Sequence, residues 1–95
     1  MDFLKEYGIS DSVIDSMIDK YDESVLSLLM SEEYNVGLVI DYLKTIGVSV
    51  IDELLINRVE LFYIDVMKIK RSFDKFETDK LVESINKDIS YIDYL

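Results

Sequence analysis

The sequence contains no cysteine, histidine, proline, tryptophan, alanine or glutamine, and only three glycines. Without cysteine there can be no disulfide framework and no thiolate metal site. Without histidine the commonest metal ligand and general base is gone, and a serine nucleophile would need lysine as its base. The glycines stand apart at positions 8, 37 and 47, so no glycine-rich phosphate loop can form. These absences predict a chain that is not an enzyme and carries no cofactor and no metal. Function must then come from surface contact.

Long apolar runs are also missing. Nothing approaches the roughly 20 apolar residues of a membrane-crossing helix. Met1-Asp2-Phe3-Leu4-Lys5-Glu6 lacks the basic and apolar segments of a signal peptide. The expectation is a cytoplasmic protein with no membrane partner. Plentiful isoleucine, lysine, aspartate, serine and tyrosine suggest an AT-rich coding sequence of bacterial or phage type.

The 95 residues are 49% hydrophobic and 32% charged, which suits one self-folding domain over 1–95. Charge is unevenly spread. Residues 1–57 hold twelve acids and three bases and residues 58–95 hold eight acids and seven bases, so nearly all of the net −10 lies in the first part. Such a field repels phosphates and anionic lipids and attracts basic protein surfaces.

Apolar spacing is helical almost throughout, with no sustained alternation of the kind a strand needs. This predicts an all-α fold, a compact array of about six or seven short helices. Ser10 is placed to cap a helix over about Asp11–Tyr21 with Val13, Ile14, Met17, Ile18 and Tyr21 inward. Asp22 is placed to cap the next helix, where Val25, Leu26, Leu28, Leu29 and Met30 leave little polar face; that helix is expected at the centre of the core. Val36, Val39, Ile40, Leu43 and Ile46 mark a third helix ending at Gly47. Ser49 then caps a helix with Val50, Ile51, Leu54 and Leu55, and a further helix carries Phe62, Val66, Ile69 and Phe73. Thr78 caps a closing helix over about 79–94 with Leu81, Val82, Ile85, Ile89 and Ile92 inward.

Part of the pattern repeats. Phe3-Leu4-Lys5-Glu6-Tyr7-Gly8-Ile9-Ser10 aligns with Tyr42-Leu43-Lys44-Thr45-Ile46-Gly47-Val48-Ser49, with four identities in eight, and Val13-Ile14-Asp15 then matches Val50-Ile51-Asp52. In both copies a helix ends at a glycine free to turn left-handed, an aliphatic residue fills the corner, and a serine opens the next helix. A repeat near 40 residues points to a solenoid-like stack with units over about 3–41 and 42–72. The same string is also an ordinary helix junction.

The segments LKEYGIS, KYDESVL, NVGLVIDYLKTIGVS and NRVELF together resemble the motif of the mitochondrial transcription termination factor (mTERF) family, over about residues 3–73. Leu4, Gly8, Ser10, Val25, Leu26, Leu43, Gly47, Ser49, Leu61 and Phe62 carry the resemblance. It implies helical triangles stacked into a curved solenoid that grips nucleic acid through a basic concave face. The family's proline is missing near Asp22 and Val59, and the first unit is acidic where the family is basic.

Two clusters are candidate sites. Asp15, Asp19, Asp22 and Glu23 form the densest acidic group, with the three aspartates at i, i+4 and i+7 on one helical face. It can be read as a solvated face or as a docking surface for a basic protein, and it has no EF-hand spacing. Lys68, Lys70, Arg71 and Lys75 form the one basic cluster, with Phe73 and Phe76 interleaved. It can contact nucleic acid by charge and stacking, although the net charge disfavours this, or it can complement a helix C-terminus. Tyr91 and Tyr94, beside Ile92 and Leu95, either close the core or pack on a second chain, with a homodimer the simplest oligomer. The leading expectation is a protein-interaction module or inhibitor that binds a basic protein through its acidic surface. An mTERF-like nucleic-acid binder and a structural helical subunit are the alternatives.

Overall fold

The computed structural model describes all residues, 1–95, and contains only helices, turns and irregular segments. Six α-helices run over Asp11–Lys20 (α1), Glu23–Ser31 (α2), Glu33–Thr45 (α3), Ile51–Asn57 (α4), Val66–Asp74 (α5) and Thr78–Lys87 (α6). Three 3₁₀ segments, Asp2–Tyr7, Val59–Tyr63 and Ile89–Tyr94, precede, join and follow them. The fold is an all-α array of short helices, and no helix is long and apolar enough to cross a membrane.

α3 organises the rest. Val36, Val39, Ile40 and Leu43 recur at i, i+3, i+4 and i+7, and each is wholly buried, so one face of the longest helix forms the middle of the core. Against it lie α2, α5 and the first two 3₁₀ segments; α4 packs on α1, and α6 on α5 and the last 3₁₀ segment. Phe62 and Phe73 are the largest fully buried side chains, and no polar side chain is buried. Burying that apolar surface at about 25 cal/mol per Å² is the main term holding such short helices together, since few of them would persist alone.

The repeated corners fold alike. Gly8 and Gly47 have φ of 84° and 97°. At the first, the Gly8 N–H donates to the Lys5 carbonyl (3.1 Å) and the Ile9 N–H to the Leu4 carbonyl (3.2 Å). At the second, Gly47 donates to Lys44 (3.1 Å) and Val48 to Leu43 (2.9 Å). This is the paired-bond Schellman cap, which satisfies the last carbonyls of each helix and needs a left-handed residue at the turn. Ile9 and Val48, next in sequence, plug the two corners and are buried.

Beyond the turn the copies diverge. Ser10 accepts a hydrogen bond from the Val13 N–H (3.4 Å) and caps α1. Ser49 does not cap α4; Val50 holds that position without a side-chain bond. The Ser49 N–H is instead held by the Asn86 side chain (2.9 Å), which also donates to the Gly47 carbonyl (3.0 Å), so the second corner is clamped from α6.

Other expectations are corrected. Thr78 is the first residue of α6 and not its cap, because its hydroxyl turns back to the Phe73 carbonyl (3.4 Å). Phe62 belongs to a separate 3₁₀ segment, since Ile64 is extended and Asp65 caps α5 afresh. The closing helix stops at Lys87, where Asp88 turns extended and bonds the Ser90 N–H (2.9 Å) to start the last 3₁₀ segment. α2 lies at the edge of the core: of its apolar residues only Leu29 is buried, while Leu28 and Met30 are exposed. Ile18 also points outward.

Candidate functional site

The four acids do not form one constellation. Asp15 and Asp19 are exposed on the outer face of α1, opposite Val13, Ile14 and Met17. α1 ends at Lys20, so Asp22 lies beyond it, and its carboxylate caps α2 by accepting from the Ser24 hydroxyl (2.7 Å) and the Val25 N–H (3.1 Å). These two bonds hold the Asp22 carboxyl below its ordinary pKa, the hydroxyl contributing most. Glu23 is an exposed first residue of α2. No group of three or more carboxylates is placed to hold a metal ion.

The basic cluster divides as well. Lys68 and Arg71 occupy the outward face of α5, opposite Val66, Ile69 and Phe73, and Lys75 is exposed just beyond its end. Lys70 faces α3 and lies 5.5 Å from the centroid of the Tyr42 ring. Each of the other six bases has a partner: Lys5 pairs with Asp2 and Asp11, Lys80 with Glu77, Lys87 with Glu83 and Arg58 with Asp93, while Lys20 donates to Asn57 and Lys44 to the Tyr7 carbonyl. Lys68, Lys70, Arg71 and Lys75 have no ionic or hydrogen-bonded partner. Phe76 is exposed beside them. Two Ser-x-x-Lys spacings, Ser72 to Lys75 and Ser84 to Lys87, match the spacing of a serine nucleophile and a lysine base. Neither brings hydroxyl and ammonium within hydrogen-bond distance, and Lys87 is engaged by Glu83 (3.1 Å).

The largest concavity is one that periodicity did not single out. An open groove of about 790 Å³ runs between α3 and α5. Tyr34, Leu38, Tyr42 and Thr45 line one wall, at i, i+4, i+8 and i+11 along α3; Val66, Met67 and Lys70 line the other. Asn35 ties the walls together. Its amide donates to the Phe62 (3.2 Å) and Ile64 (2.7 Å) carbonyls and accepts from the Val66 N–H (3.1 Å). Tyr42 packs edge-on against buried Phe73, centroids 5.9 Å apart, and burial raises its phenol pKa. Glu32, Asp41 and Asp65 stand at the rim. Tyr34, Leu38 and Tyr42 form a second apolar stripe on α3 beside the core stripe, and this was the available sequence signal.

At the chain's end, Tyr91 and Tyr94 are exposed with ring centroids 5.8 Å apart, and the Arg58 guanidinium fastens the segment by pairing with Asp93 (2.9 Å). No protein-family model matches the chain, and no curated protein or solved structure matches it either.

Proposed function

We propose that the chain is a non-enzymatic protein-interaction module, or an inhibitor, that engages a basic protein through its acidic surface. One observation carries the reading. Of the twelve carboxylates in residues 1–57, only Asp2 and Asp11 meet a cation, and both meet the same Lys5. The remaining acidic charge is left for solvent or a partner, and it favours fast, charge-steered encounter with a basic surface. The absence of histidine and cysteine supports a role without catalysis.

The test is capture of partners on the immobilised chain from its source cell, followed by a salt gradient. Screening shortens from about 10 Å at 0.1 M salt to about 3 Å at 1 M, so basic proteins should be retained at low salt and released across that range. An Asp15→Lys/Asp19→Lys variant should retain less. Partners that are acidic, or that stay bound equally at high salt, would count against the proposal.

A second reading is favoured by the four unpartnered bases on and just after α5 and by the mTERF resemblance: contact of Lys68, Lys70, Arg71 and Lys75 with nucleic acid, Phe76 stacking beside them. A gel-shift titration with single- and double-stranded DNA and RNA at low salt decides it, and no shift at micromolar protein would sink it. A third, a structural helical subunit, draws on the exposed Tyr91 and Tyr94. Light scattering would then find a fixed oligomer.

A further inference from the structure

The groove between α3 and α5 has features that a solvated surface does not need. Tyr34 is 80% exposed, Met67 54% and Leu38 38%, and they line a single concavity. The Tyr34 hydroxyl bonds nothing within the chain. Tyr21 and Tyr63, by contrast, donate their hydroxyls to the Leu55 and Val25 carbonyls, both at 3.0 Å. Exposed aromatic and methionine side chains gathered in one hollow are typical of surfaces that bury anchors from a partner.

Length and charge narrow the occupant. The α3 wall from Tyr34 to Thr45 rises about 16 Å at 1.5 Å per residue, which is three turns of a helix laid alongside. The groove's charged lining is three carboxylates, Glu32, Asp41 and Asp65, against the single ammonium of Lys70, which rests over the Tyr42 ring. Lys68 and Arg71 lie on the outward face of α5 and Lys75 follows at its end, so a cationic flank is accepted on the α3 side and opposed on the α5 side. A second copy of this chain, itself at net −10, is a poor electrostatic match. The bonds of Asn35 to the α5 side hold the walls in place before anything binds, which lowers the ordering cost of binding.

We infer that this groove seats a basic amphipathic helix of about three turns from the partner protein, its apolar stripe on Tyr34, Leu38 and Met67 and its cationic flank toward Glu32 and Asp41. The inference rests on the proposed function and names the place where the anchors are buried. It assigns Asp15 and Asp19 to steering, since neither lines the groove.

A defined probe tests it. Isotope-labelled protein is titrated with a 14-residue amidated Leu/Lys peptide patterned as an amphipathic helix, and with a peptide of the same composition in strict alternation. Amide shifts should map to α3 and α5 around the groove for the helical peptide only. Leu38→Glu should weaken binding about tenfold or more, as for loss of a central anchor, with the fold intact by circular dichroism. Glu32→Gln/Asp41→Asn should weaken it about threefold, in keeping with rim charges. Shifts confined to the α1 face around Asp15 and Asp19 would overturn the groove assignment and leave the acidic-surface reading standing. Equal binding of the alternating peptide, or no binding at millimolar peptide, would also overturn it, and salt-dependent capture would then judge the wider reading separately. A dimer of the free protein that Leu38→Glu dissolves would assign the groove to a second copy instead.

Discussion

Two serines at matching places in the repeat do different work. Ser10 caps α1, whereas the Ser49 hydroxyl caps nothing and only its backbone is held, by Asn86. Ser10→Ala should therefore cost about 1 kcal/mol of stability, and Ser49→Ala should stay within about 0.5 kcal/mol of neutral; equal losses in urea unfolding would contradict this. Gly37 is a second residue whose role comes from its neighbours. A Cβ there would sit 2.1 Å from the Tyr7 hydroxyl oxygen and 2.6 Å from its ring carbon Cζ. Alanine in a helix interior normally gains about 1 kcal/mol over glycine, but here the Tyr7 ring must move out of its half-buried seat. Gly37→Ala should lose about 1 kcal/mol net, and Tyr7→Ala in the same chain should cost less than in the wild type. Ser10 and Gly8 were legible in the sequence because a cap and a left-handed turn are local events. Gly37 was not, because its constraint comes from a residue thirty positions away.

Three of the six α-helices start on a side-chain cap, Ser10, Asp22 or Asp65, and the last 3₁₀ segment starts on Asp88. The Asp22 carboxyl is held low chiefly by the Ser24 hydroxyl, then the Val25 amide; Asp88 is held low chiefly by the backbone amide of Ser90. A carboxyl depressed in the folded state adds stability that is fully present above its unfolded pKa of about 3.9 and is lost as pH falls through the lower folded value. Stability should decline in acid below about pH 4. Asp22→Asn, still a good cap, should match wild type at pH 7 and show a shallower acid decline in melting temperature. An unchanged slope would remove Asp22 from the account. Between elements, Asn35 joins α3 to Phe62 of the second 3₁₀ segment, to Ile64 after it and to Val66 at the start of α5, one hydrogen bond each. Asn35→Ala should cost about 2 kcal/mol, and Asn35→Asp should not rescue it, because a carboxylate cannot donate to the Phe62 and Ile64 carbonyls. Chemical denaturation of the two variants measures both effects. The sequence pattern located four of the α-helices closely and merged neighbours twice, carrying Phe62 into α5 and Ile89 and Ile92 into α6. An apolar stripe continues in phase across a short 3₁₀ segment, so spacing alone does not reveal the break at Ile64 or at Asp88.

For the molecule as a whole, a net charge of −10 acts on a body with a radius of gyration of 12.7 Å, little more than one screening length at 0.1 M salt. The acids therefore repel one another across the fold, and adding sodium chloride should raise the melting temperature by several degrees. A flat or falling melting temperature would mean that the few ion pairs, such as Arg58 with Asp93, outweigh that repulsion. The same charge distribution explains why the groove was not legible in advance. Glu32, Asp41 and Asp65 are scattered among other acids in the sequence, and only the packing of α5 beside α3 puts them around Tyr34, Leu38 and Met67. By itself the sequence determined the all-α class, the two glycine corners and the acidic excess of residues 1–57, because periodicity, left-handed turns and charge are properties of local stretches of chain. Only the tertiary structure decided that α2 sits at the edge, that the four bases on and just after α5 stand unpartnered and that an apolar groove opens beside them. Those depend on which faces the helices cover when they pack, and covering is a property of pairs of elements.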